Sequence, residues 1–233
     1  MASRRRVQRI AFIRHGVARH NLPDPLTGGR PNLEDPALTD PPLTREGKAM
    51  AIEAGERACM WWRTTGSGEE IDLVVTSPLT RCIQTTMMGF LPGTKYAEGR
   101  REPKMVCSEL AREAYGVHYP DRRRDLSLLK MHWPMLNFEP MTEHDDLWTA
   151  TGRETIAQLQ ERILKFLGIL IQMAESNVVV VSHGVWIEAC LNMLCPEALN
   201  HGSRRVYNCD VFCGDCISED GKVVRLQNVQ LIQ

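Results

Sequence analysis

The sequence predicts an α/β three-layer sandwich: a mostly parallel central sheet, helices on both faces and an inserted cap region. Three observations predict it. Short apolar runs alternate with amphipathic stretches of helical period, as in a parallel sheet covered on both sides. Two of the apolar runs end in the same His-Gly corner, at His15-Gly16 and His183-Gly184. Between Phe90 and Ala150 the alternation breaks down into prolines and charges, in a stretch too long for a bare loop.

Taken in order, the chain begins with Arg4, Arg5 and Arg6, read as a solvated lead-in, and a strand from about Val7. The apolar stretch behind the arginines is too short for a secretory signal, so no removable leader is expected. Residues 8–15 read as a buried strand ending in polar residues. From Leu43 to Trp62, apolar residues at 43, 50, 51, 54, 58, 61 and 62 predict a helix, with Thr44 as N-cap. Residues 72–76 form a second strand. Ser77-Pro78 then opens a helix that carries Arg81 in its first turn, Pro78 suiting an early helical position.

Residues 91–150 are expected to form a cap with short helices, inside a single domain of residues 1–233. Thr151-Gly-Arg-Glu154 reads as a capping box for a long helix. Its apolar stripe runs through Ile156, Leu159, Ile163, Phe166, Leu167, Leu170 and Met173. Residues 178–184 (VVVVSHG) are the most strand-like run. A helix from Val185 is stopped by Pro196, and residues 206–229 read as a hairpin turning at Glu219-Asp-Gly221.

The 233 residues carry 28 Lys+Arg against 29 Asp+Glu, a net charge of -1. That balance lacks the basic excess of a nucleic-acid or membrane-surface protein, so neither partner is expected. No apolar run is long enough to span a bilayer. Eight cysteines, several inside apolar segments, suit reduced thiols and a cytoplasmic location. Cys209, Cys213 and Cys216 include half of a zinc-like spacing, but a closed site needs a fourth ligand. Free thiols on a late hairpin are the preferred reading, with no metal and no cofactor.

In a parallel sheet, ligands bind outside the carboxyl ends of the strands. His15 and His183, 168 positions apart, therefore fall on one edge and meet if their strands are neighbours. Arg81 sits at a helix N-terminus on that same edge, and Arg14 precedes His15. Two arginines and two histidines converging there describe a phosphate pocket.

These residues resemble the histidine phosphatase (phosphoglycerate mutase-like) superfamily. The likeness rests on Arg14-His15-Gly16, Asn21, Asp40-Pro-Pro-Leu-Thr44-Arg-Glu-Gly47, Ser77-Pro-Leu-Thr-Arg81 with Gln84-Thr85, and Ser182-His183-Gly184. In the middle region it extends to residues 109–118 and to Asp121-Arg-Arg-Arg124. The resemblance implies that His15 is the nucleophile and that Arg14, Asn21, Arg81 and His183 bind the phosphate. It also implies a carboxyl proton donor, with Glu113 preferred and Glu109 as runner-up. His20, His118, His132, His144 and His201 are taken as structural or surface residues, and Arg122, Arg123 and Arg124 as a solvated run.

The activity expected is metal-independent hydrolysis of a small phosphorylated substrate through a phosphohistidine on His15. Mutase-type phosphoryl transfer is an alternative, weakened because His20 stands where glycolytic mutases carry Trp. A weakly active phosphate-binding module is the other.

Overall fold

The computed structural model describes residues 5–65, 70–91 and 102–233. Arg4 of the expected lead-in, and Pro92 with the rest of 92–101, lie outside them.

Seven strands form one sheet: β1 (Arg5–Arg14), β2 (Leu73–Thr76), β3 (Lys104–Cys107), β4 (Asn137–Phe138), β5 (Asn177–Ser182), β6 (Val211–Glu219) and β7 (Lys222–Ile232). Their spatial order is β4-β3-β2-β5-β1-β6-β7. β4, β3, β2, β5 and β1 run parallel, and the β6–β7 hairpin adds to β1 antiparallel. β1 and β5 are neighbours, with Arg14 opposite Ser182.

The side chains of each central strand divide between two apolar layers because successive residues face opposite sides. Ile10 and Phe12 of β1 and Val178 and Val180 of β5 pack with Leu159, Ile163 and Phe166 of α4 (Ile156–Leu170) and Trp186 of α5 (Gly184–Leu194). Their neighbours Ala11, Ile13, Val179 and Val181 pack against Ala54, Ala58, Trp61 and Trp62 of α1 (Arg45–Thr65) and Cys82 of α2 (Thr80–Phe90). Val178 through Val181 are wholly buried. Burying one such side chain contributes roughly 1.5–3 kcal/mol. The result is the expected three-layer α/β sandwich.

Thr44 caps α1, its hydroxyl accepting from Gly47 N at 2.9 Å. The turn between β6 and β7 has positive φ at both Asp220 and Gly221, the geometry of a tight two-residue hairpin.

Four local expectations are corrected. Arg5 and Arg6 belong to β1; Arg6 donates to the carbonyls of Ile171 (2.6 Å) and Glu175 (3.0 Å), so the strand starts earlier than the apolar pattern does. α2 begins at Thr80, beyond Pro78, because Asp40 from a distant loop accepts from Thr80 N at 2.7 Å and caps it. α4 begins at Ile156 with a capping box of Thr155 and Gln158. Thr151 and Glu154 do not form that box, since Glu154 is engaged by Arg162. Arg123 is buried: it pairs with Glu109 and donates to the carbonyls of Thr142 (2.9 Å) and His144 (3.0 Å). Of its neighbours, Arg122 and Arg124 are exposed.

Two stretches of the 91–150 region enter the sheet as β3 and β4, which a reading of it as cap alone does not anticipate. The remainder carries the short helix α3 (Leu126–His132) and two single 3-10 turns, Glu109–Ala111 and Tyr119–Asp121. All eight cysteines are free and buried. Cys213 packs in the layer under α1, Cys216 in the layer under α4 and α5, so the zinc-like pair faces apart across the sheet.

Candidate active site

The carboxyl ends of β1 and β5 bring His15 and His183 together, ring centroids 5.1 Å apart. Both are buried. Gly16 permits this corner because a Cβ there would lie 2.3 Å from Gly47 O of α1.

Hydrogen bonds assign the tautomers. Arg81 has donors only, and its Nε donates to His15 Nε2 at 3.1 Å. The proton of His15 is therefore on Nδ1, which donates to Gly16 O at 2.8 Å. For His183, Arg81 Nη2 donates to Nδ1 at 3.1 Å, so Nε2–H donates to Ser77 Oγ at 2.8 Å. Burial, reinforced by Arg81, pushes both imidazoles well below their ordinary range. Two neutral rings result, and His15 Nε2 carries a lone pair.

Arg81 also donates to Pro120 O and pairs with Asp121 at 2.9 Å. Arg14 donates to Val206 O at 2.7 Å, while its buried Nε has no hydrogen-bond partner among the described residues. Asn21 closes a 3-10 turn, Arg19–Asn21, and its Oδ1 accepts from Ala18 N (3.0 Å) and Asn208 Nδ2 (3.3 Å). With the oxygen committed, its amide NH2 is the group left to donate.

The two carboxyl candidates separate cleanly. Glu109 is ion-paired with Arg112 at 2.8 Å and with Arg123. Glu113 has no such partner among the described residues. Its carboxyl accepts from Val185 N at 3.2 Å, in the first turn of α5, and from Ala114 N at 3.1 Å. Burial, then the neighbouring Asp121, raises its affinity for a proton.

Several neighbours carry no clear signal in the sequence. Asn208, before β6, donates to His15 O at 2.9 Å and Gly16 O at 3.3 Å, steadying the corner. Asp121 contacts Arg81, Arg153 (3.3 Å) and, more distantly, His118 (3.9 Å). A lone Asn in a polar loop looks like any other, and Asp121, though it opens the Asp121-Arg-Arg-Arg124 run, gives no sign in the sequence of the arginines it meets. His20, expected to be structural or on the surface, instead lies beside His15, with ring centroids 5.8 Å apart. Its Nδ1 is buried without a hydrogen-bond partner among the described residues. Among the described residues, no group of three or more His, Cys, Asp or Glu is arranged to hold a metal ion.

Two buried neutral histidines, two arginines and a carboxyl of raised proton affinity thus lie together at the carboxyl ends of the central strands. The sequence matches the Histidine phosphatase superfamily (branch 1) over residues 10–112 and 130–229. The chain belongs to that superfamily. It is 31% identical over 156 residues to phosphoglycerate mutase-like protein 1 of Arabidopsis thaliana, covering 58% of this chain and 55% of that protein. With a probable phosphoglycerate mutase of Arthroderma benhamiae it shares 28% over 204 residues, covering 79% and 58%. The chain thus spans little more than half the length of these curated relatives.

Among solved structures, a mycobacterial glucosyl-3-phosphoglycerate phosphatase aligns with a TM-score of 0.58 at 16% identity, covering 98% of this chain and all of that one. The phosphoserine phosphatase of Entamoeba histolytica aligns with a TM-score of 0.53 at 18% identity, covering 95% of each chain. These likenesses show the fold. Among the described residues no helix is long and apolar enough to cross a membrane.

Proposed function

We propose that this chain is a metal-independent phosphomonoesterase that works through a phosphohistidine on His15. The observation that carries the reading is the state of His15: buried and neutral, Nδ1–H tied to Gly16 O, and Nε2 facing Arg81.

In the first step the Nε2 lone pair attacks phosphorus and the P–O ester bond breaks. The Glu113 carboxyl gives its proton to the departing alkoxide. In the second, water attacks phosphorus, the P–N bond breaks, and the water's proton returns to the Glu113 carboxylate. The net change is ester plus water to alcohol plus phosphate. Arg14, Arg81 and the Asn21 amide donate to the phosphoryl oxygens, spreading their charge without a metal, and His183 joins them once its Nε2–H leaves Ser77 Oγ. An incoming phosphoryl group draws Arg81 away from both Asp121 and His15 Nε2, which frees the lone pair for attack.

The substrate class is a small phosphorylated molecule, in keeping with the burial of His15, Arg81 and His183 and a net charge of -1. Within one domain, substrate selection falls to the residues around the 109–121 wall, where His118 and Arg153 flank Asp121 and are about one-third exposed. Eight free thiols fit a reducing, cytoplasmic setting. A second reading, phosphoryl transfer between hydroxyls, comes from the mutase-like names of the plant and fungal relatives.

The test is hydrolysis of 4-nitrophenyl phosphate in EDTA, with acid-labile labelling from a radioactive phosphate donor. Turnover and label should both vanish in His15→Ala. Turnover undiminished in that variant sinks the proposal. Rapid isomerisation of a phosphoglycerate with a bisphosphate primer, outpacing hydrolysis, decides for the mutase.

A further inference from the structure

We infer that Arg162 of α4 is the positioning residue for the Glu113 carboxyl: one buried guanidinium fixes the backbone from which that carboxyl reaches the pocket. The inference rests on Glu113 being the proton donor proposed above.

Residues 110–113 leave a single 3-10 turn and enter no helix or strand, so no ladder satisfies their carbonyls. Buried carbonyls without partners are costly, and each of these four has one. Arg162 Nη1 donates to Leu110 O (2.8 Å) and Arg112 O (2.9 Å), and Nη2 donates to Glu113 O (3.1 Å). Ala111 O accepts from Ser182 Oγ at 2.8 Å, and Leu110 O also accepts from Trp186 Nε1 at 2.9 Å. Ser182 immediately precedes His183, so the loop carrying the proton donor is pinned to the strand end that carries the second histidine.

Arg162 is itself held. Glu154 grips it in fork geometry, Oε1 to Nε at 2.8 Å and Oε2 to Nη2 at 2.6 Å. The guanidinium also lies 4.2 Å from the centroid of the Tyr115 ring, on the far side of Glu113 in sequence. Both side chains of the pair are at least nine-tenths buried. The carbonyls of residues 112 and 113 flank the Glu113 Cα, so fixing both sets where the side chain starts. The carboxyl end is then met by Val185 N and Ala114 N. An ammonium cannot reproduce a planar fork that serves three carbonyls and a bidentate carboxylate together.

A positioning role and a merely structural one differ in what they spare. Proton donation matters for a strongly basic alkoxide leaving group and little for 4-nitrophenolate. Arg162→Lys, Arg162→Met and Glu113→Gln are therefore compared on ethyl phosphate and 4-nitrophenyl phosphate, with inorganic phosphate inhibition as the measure of binding. The expected result is that Glu113→Gln and both Arg162 variants lose about 10²-fold or more in kcat on ethyl phosphate. On 4-nitrophenyl phosphate they change several-fold at most, with phosphate inhibition preserved. Arg162→Lys should retain more than Arg162→Met.

An equal loss on both substrates, or no loss on either, while Glu113→Gln discriminates between them, overturns the role of Arg162 and leaves Glu113 standing. A Glu113→Gln variant that does not discriminate overturns both. Should Arg162→Met fail to fold, Arg162→Lys and Glu154→Gln carry the same comparison, checked for native circular dichroism, with the same overturning result.

Discussion

The two sides of the candidate site are built by different means. The His15 and His183 corners are ends of buried parallel strands, placed by backbone register and covered by apolar layers. The opposite wall, from Glu109 to Asp121, has almost no regular structure and is held by side-chain ion pairs. Arg112, fully buried, bridges Glu109 at 2.8 Å and Asp145 at 2.6 Å, and Arg123 joins the same group. Chemistry on the first side sits on a frame that does not depend on it. On the second, the residues that shape the pocket also hold it together.

The largest expected effect tests the first side. His15→Ala should lower kcat by about 10⁴-fold, because the proposed nucleophile has no substitute. The unfolding midpoint in urea should report a stability change within about 1 kcal/mol. A large loss of stability would break the contrast.

Next comes the second side. Arg112→Met leaves Glu109 and Asp145 without their shared cation, and removing one partner of a buried pair costs about 3–5 kcal/mol. Denaturant titration should show that loss, with activity falling only as the wall loosens.

Asp121→Asn probes where the sides meet. Asp121 is a negative neighbour that raises the proton affinity of Glu113. Its neutralisation lowers the Glu113 pKa, so the acid is lost at lower pH. The basic limb of the kcat profile on an alkyl phosphate should move toward acid; a limb that moves the other way contradicts the assignment. The smallest effect lies away from both sides. Thr155→Ala removes the α4 cap and should cost about 1 kcal/mol, read from thermal unfolding, with kcat unchanged.

The same contrast explains what could be read in the chain. β1 and β5 announce themselves as apolar runs, α1 and α4 through helical periodicity, and the His-Gly corners through position at strand ends, so His15, His183, Arg14 and Arg81 are reachable from residue order alone. Glu113 needs the family resemblance to be singled out. Its separation from Glu109 depends on which carboxylate the arginines claim, a three-dimensional fact. Arg123 escapes a sequence reading for the same reason: a run of three arginines looks solvated until loop carbonyls converge on one of them. Asn208 acts on His15 from 193 positions away, through a backbone carbonyl that no side-chain pattern reports. Thr155 displaced Thr151 as the cap because Glu154, the partner the motif requires, pairs with Arg162 instead.

The pairing of β1 with β5 also bears on folding order. It joins Arg14 to Ser182 across 168 intervening steps of chain, and β1 then accepts β6 on its other edge. Contacts of such sequence separation pay loop-closure entropy before they return stability, and they slow folding. A nascent chain that has exposed only its first corner has a His15 with no partner strand. The pocket around His15, the proposed nucleophile, is thus completed only after Asn208 has been added and β1 has been enclosed on both edges.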